Sequence, residues 1–231
     1  PIRSCRSGLF CILLGRARSR TIAASRATHS GELGVLALAF VLWWAESVQG
    51  ASSVECTPMG DEHTTRDEAL GGFGGQLPPR LQVTKKQCTY TSCYCEENVY
   101  MLCQRLSEEG VSCFSCWISN ENKTVAVWRQ QSSREPEGLC VWDYHVICLA
   151  DDGSGGILVY DLDTTLPFPS PLEAYLRGSF REGGTAERFE PSFRVVAAND
   201  FFASFSSDRS HMLRPDGIFS APPPVYPCIH P

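Results

Sequence analysis

The 231-residue chain is 43% hydrophobic and 20% charged, with a formal net charge of -6. This is enough length and apolar content for one substantial core of about 150–200 residues with an extension at one end. The acidic balance, with no basic stripe in the later part, excludes nucleic acid as a default partner, because tracking phosphates requires clustered Lys and Arg.

Residues 1–30 hold six arginines (Arg3, Arg6, Arg16, Arg18, Arg20 and Arg26) and no acid, and an apolar run follows from Val35 to Ala45. The pattern imitates a secretory signal or a transit peptide. The basic stretch is too long for an ordinary signal, however, and the eleven-residue run is too short to span a bilayer. The first methionine is Met59. Residues 1–58 are therefore read as a non-homologous, disordered extension with no role in the fold, signal-like over 35–53. Secretory or organellar targeting stands as the minor alternative. Residues 59–87, with Gly71-Gly72-Phe73-Gly74-Gly75 and Pro78-Pro79, read as a flexible lead-in. The folded domain is expected over 88–231.

Of the 12 cysteines, Cys5, Cys11 and Cys56 lie in the extension and nine follow it, an odd number that a closed disulfide framework would not leave. Two spacings look like zinc ligand pairs, Cys93 with Cys95 and Cys113 with Cys116. Parity opposes the second: Val111 to Ser119 reads as a strand, and positions an odd number apart point to opposite faces. The cysteines are read mainly as buried small hydrophobes, with a non-catalytic zinc or disulfide module as the competing account.

Glu96 to Glu109 reads as an amphipathic helix with Val99, Leu102, Cys103 and Leu106 on one stripe. Cys95 falls at its N-terminal edge, where unpaired N–H groups and the helix dipole favour a thiolate. A plain buried helix-start residue fits the same position, and Glu96 and Glu97 oppose a thiolate. Thr124 to Trp128 reads as a strand, and Val141–Ala150 with Ile157–Thr164 as a hairpin. Centred on Gly153, that hairpin sets Leu149 against Ile157, Ile147 against Val159 and His145 against Asp161, all on one face. A carboxylate at 161 would then fix the tautomer of His145. A hairpin with a merely satisfied histidine fits equally well.

Five ordered segments carry a resemblance: Tyr90-Thr-Ser-Cys-Tyr-Cys-Glu-Glu-Asn98; Trp142-Asp-Tyr-His-Val146; Tyr160-Asp-Leu-Asp-Thr164 with Leu166-Pro-Phe-Pro169; Ser207-Asp-Arg-Ser-His-Met212; and Pro222-Pro-Pro-Val-Tyr-Pro-Cys228. Together they resemble the protein N-terminal glutamine amidohydrolase family over about residues 88–231. The resemblance implies an α/β (α+β) papain-like or transglutaminase-like cysteine-hydrolase domain with an antiparallel sheet. It also implies a monomer without cofactor or metal, in cytoplasm and nucleus. Such an enzyme converts N-terminal Gln of proteins to Glu, releasing ammonia, in the arginylation branch of the N-degron pathway. Position by position it implies Cys95 as nucleophile, His145 as base and Asp161 as orienting carboxylate, with Cys93 and His211 as weaker candidates. Asp143, Asp163 and Asp208 are available to read the substrate α-ammonium, and the choice stays open. The family continues several tens of residues past the Pro-rich segment, so a C-terminally truncated domain is expected. A transglutaminase or thiol protease would share the same triad.

Overall fold

A computed structural model describes residues 20–23, 77–181 and 186–231. The signal-like run 35–53 lies outside them. A six-stranded antiparallel sheet forms the middle layer, in the order β1 (Arg20–Ala23), β8 (Ser192–Ala197), β2 (Cys113–Ser119), β5 (Tyr144–Asp151), β6 (Ile157–Tyr160) and β7 (Ser170–Pro171). Helices α1 (Cys95–Glu108) and α3 (Ala198–Ser204) cover one face, and α2 (Leu172–Ser179) the other. A two-stranded sheet joins β3 (Val125–Val127) to β4 (Cys140–Trp142). Edge strand β1 comes from the segment read as having no role in the fold, and pairs with β8.

Because both faces are covered, the central strands are apolar at successive positions, and parity sorts them into two cores. Cys113, Trp117, Val146, Cys148, Ala150, Leu158 and Tyr160 face α1, whereas Phe114, Cys116, Ile118, Ile147, Leu149, Ile157 and Val159 face α2. Cys113 and Cys116 thus belong to different cores and cannot share a metal, as the odd spacing predicts.

Helix α1 buries the predicted stripe of Val99, Leu102, Cys103 and Leu106. It stops at Gly110, whose φ of 71° suits glycine. There the Gly110 N–H donates to Ser107 O and the Val111 N–H to Leu106 O, the reciprocal pair that closes a helix C-terminus.

Several boundaries differ from the sequence expectation: the strand expected over 141–150 breaks at Asp143 into β4 and β5, and the one expected over 157–164 ends at Tyr160. Residues 77–87 are packed rather than a flexible lead-in: Leu81 and Val83 join the core beneath α1, and Tyr160 Oη donates to Leu81 O at 2.8 Å. The β5–β6 hairpin is centred on residue 154, pairing Leu149 with Val159 and Asp151 with Ile157. Asp152 causes the shift, because its Oδ1 accepts N–H bonds from Ser154 and Gly156 and so organises a loop over 152–156. The displacement is two residues, so parity survives. His145 and Asp161 keep a common face as diagonal neighbours instead of direct opposites.

Candidate active site

The segment entering α1 is a tight turn in which the Tyr94 N–H donates to Thr91 O. Cys93 occupies the left-handed region at φ 70°, a strained setting for a side chain with a Cβ. Buried Asn98 holds the turn from inside the helix, accepting from Thr91 N–H and donating to Thr91 O, both at 2.8 Å. This clamp fixes Cys95 as the first residue of α1, partly exposed.

Around Cys95 the electrostatics run against the simple helix-start expectation. Burial, then the Glu96 and Asp163 charges, push the thiol well up, while the backbone N–H of Val146 pulls it down. The thiol donates to Glu96 Oε2 at 3.5 Å. Glu96 is itself buried, and its carboxyl is raised by that burial although its own N–H, Tyr144 and the Cys95 thiol all favour its charge. In this resting arrangement Cys95 is a neutral thiol beside the strand residue that follows His145.

His145 is buried near the start of β5, and its Nε2 lies 2.9 Å from Asp161 Oδ1. Asp161 is fully buried and saturated with donors. Oδ1 also accepts the Asp163 N–H at 2.9 Å, and Oδ2 accepts Tyr175 Oη at 2.9 Å and Gln130 Nε2 at 3.1 Å. Burial alone would raise this carboxyl, but His145 and the ring of donors bring it down to about 2. Burial likewise opposes charge on His145, and the Asp161 carboxylate outweighs it, leaving the imidazole raised. The tautomer follows: with Nε2–H donated to Asp161, Nδ1 is the nitrogen left to exchange protons. Trp142 lies over the ring at 5.7 Å between centroids and 15° between planes, a stacking that favours the imidazolium form.

Gln130, Tyr175, Trp142 and Glu96 carry much of this environment; the sequence flagged Glu96 as opposing a thiolate and missed the roles of the other three. Of those three only Trp142 had a signal, through its place in the Trp142–Val146 segment. Gln130 arrives through a bridge with Thr164 and a Gln130 N–H bond to Gly138 O at 2.8 Å. A Cβ on Gly138 would stand 3.0 Å from both Arg129 Cα and Gln130 N, so glycine permits that approach.

The remaining candidates separate. Asp163 is buried beside the His145–Asp161 pair, accepting from Tyr90 Oη at 2.6 Å. Asp143 marks the bend between β4 and β5, its Oδ1 accepting the Tyr144 N–H. Asp208 is exposed, and Ser210 donors hold its carboxyl low. His211 lies in the 3-10 turn Ser210–Met212 and makes no hydrogen bond to Asp161. The neighbouring Arg209 grips buried Glu97 through two bonds of 2.8 and 2.7 Å and donates to Tyr226 O at 2.9 Å. The Ser207–Met212 and Pro222–Cys228 segments are thereby tied to the helix that begins with Cys95.

A family profile described as N-terminal glutamine amidase matches residues 90–231. Among curated relatives, the protein N-terminal glutamine amidohydrolase of Drosophila ananassae is 44% identical over 147 residues, covering 62% of this chain and 72% of the relative. The protein of the same name from Bos taurus is 41% identical over 157 residues, covering 66% and 73% respectively.

Proposed function

Because the chain belongs to the N-terminal glutamine amidase family, we propose that it hydrolyses the side-chain amide of an N-terminal glutamine through Cys95, His145 and Asp161. The observation that carries the residue assignment is the buried 2.9 Å contact from His145 Nε2 to Asp161 Oδ1, beside a helix whose first residue is Cys95.

In this reading Nδ1 of His145 takes the Cys95 proton as the sulfur attacks the side-chain carbonyl carbon of the substrate. The raised thiol makes this transfer coincide with attack instead of preceding it. Backbone N–H groups at the start of α1 receive the developing oxyanion. The imidazolium, stabilised by Asp161, then protonates the departing ammonia, leaving a thioester on Cys95. Water gives a proton to the same Nδ1, its oxygen attacks the thioester, and Glu and free thiol are released. The sum is one amide plus one water giving one carboxylic acid plus ammonia.

A helix-borne cysteine, a strand histidine and an acid just past the end of the next strand constitute the layout of papain-like and transglutaminase-like enzymes, and we assign the domain to that group. The substrates are proteins with a free N-terminal Gln, and the setting is a monomer in cytoplasm and nucleus. Among the described residues no helix is long and apolar enough to cross a membrane.

A peptide beginning with Gln, compared with its N-acetylated twin and one with internal Gln, tests the reading. Ammonia release and a mass gain of about one dalton on the free-amine peptide alone support hydrolytic deamidation. Cross-linking to an added amine, or backbone cleavage, would replace it with a transglutaminase or protease.

A further inference from the structure

The core beneath α1 brings together three thiols that their spacing in the chain does not associate. Cys103 from the middle of α1, Cys113 from the start of β2 and Cys148 from β5 place their Sγ atoms within 4.8 Å of one another. Cys103 and Cys148 are 3.7 Å apart, and Ser107 Oγ stands 3.5 Å from Cys113 Sγ. No disulfide joins the three. Neither the proposed hydrolysis nor the family relationship uses them.

We propose that Cys103, Cys113 and Cys148 form a structural site for a thiophilic divalent cation of the zinc class, with Ser107 Oγ at the fourth corner. Tetrahedral zinc with Zn–S of about 2.3 Å and Zn–O of about 2.0 Å has S···S edges of about 3.8 Å and S···O edges of about 3.5 Å. The two contacts above match those edges. With all three sulfurs within 4.8 Å of one another, the point in their plane equidistant from them lies no more than about 2.8 Å from each, so inward shifts of a few tenths of an ångström bring them to the zinc–thiolate bond length. The donor set is soft, which selects zinc-class ions over calcium or magnesium. Binding replaces the three thiol protons with one Zn2+ and releases three H+, so uptake strengthens as pH rises. The ion would staple α1 to β2 and β5, the elements whose other ends carry Cys95 and the neighbourhood of His145. Cys116, equally buried but on the opposite sheet face, lies outside the site.

Titrating the reduced, metal-free full chain with Zn2+, and with Co2+ as a spectroscopic substitute, tests this. The expected result is one ion per chain, thiolate-to-cobalt charge-transfer absorption, and zinc-dependent protection of Cys103, Cys113 and Cys148 from alkylation, read residue by residue by mass. Cys148→Val should weaken binding by at least about 100-fold, since even outer partners of a metal ligand are worth 10–100-fold. Cys95→Ala and Cys116→Val should leave it unchanged. The absence of stoichiometric uptake would overturn the site, as would protection falling on Cys93 and Cys95. Unchanged affinity in a folded Cys148→Val chain would do the same. If that variant does not fold, the footprint on the unsubstituted chain decides the question.

Discussion

Asp161 shows how a buried carboxylate is kept charged at one position. Four donors converge on its two oxygens, from His145, Asp163, Tyr175 and Gln130. Asp161→Asn offers Nδ2–H where His145 needs an acceptor, so the ring adopts the wrong tautomer. Turnover should fall by about 10^4, the scale of the same change in a serine protease triad, with the fold retained by circular dichroism. Glu96 acts in the opposite sense on Cys95, because its charge disfavours a thiolate 3.5 Å away. Glu96→Gln should therefore lower the pH at which Cys95 alkylates; a midpoint that stays put would remove Glu96 as a determinant of thiol reactivity. The opposition of Glu96 to a thiolate was legible from its place beside Cys95, whereas the role of Gln130 was not. Gln130 reaches Asp161 only through tertiary bridging across Gly138, and what the sequence does not show of Glu96 is its burial.

Among the elements, the β5–β6 hairpin and α1 were legible because periodicity fixes a face even where it misses a register. The hairpin centre moved from 153 to 154, which shifts pairing by two and leaves His145 and Asp161 on one side. The turn chemistry of Asp152 decided the shift, and its five-residue reach was not evident from a Gly-rich run. Helix α1 began one residue before the expected start, which puts Cys95 inside it. Its junction with the C-terminal segments rests on Arg209, whose guanidinium meets a fully buried Glu97. Arg209→Ala would strand that carboxylate without a counter-charge and should cost roughly 3–5 kcal/mol in urea unfolding. A loss within about 0.5 kcal/mol, the scale of an ordinary surface substitution, would show that the pair does not anchor the helix.

At the scale of the whole molecule, the His145–Asp161 pair links stability and activity to pH. Asp161 is lowered from 3.8 to about 2, so its contribution is present above 3.8 and lost as pH falls through about 2. His145 is raised above 6.5, so its contribution is complete below 6.5 and fades as pH rises through the raised folded value. Wild type should exceed Asp161→Asn in unfolding midpoint most between 3.8 and 6.5, and the gap should narrow above. Activity has the opposite slope in that region, because Nδ1 must be unprotonated to accept the thiol proton, so the rate should climb with a midpoint above 6.5. The second core, under α2, was not among the expectations, whereas the antiparallel hairpin and the one amphipathic helix were readable from periodicity. The packing of residues 77–87 was not, because two short apolar anchors, Leu81 and Val83, leave no periodic trace in a Pro- and Gly-rich stretch.

The assignment of Cys95 as nucleophile is tested most directly by quenching a single turnover of a Gln-initiated peptide in acid and locating the covalent adduct by peptide mass. A thioester on Cys95, absent from the Cys95→Ala chain together with all ammonia release, is the predicted result. An adduct on Cys93, or ammonia release that survives in folded Cys95→Ala, would contradict it.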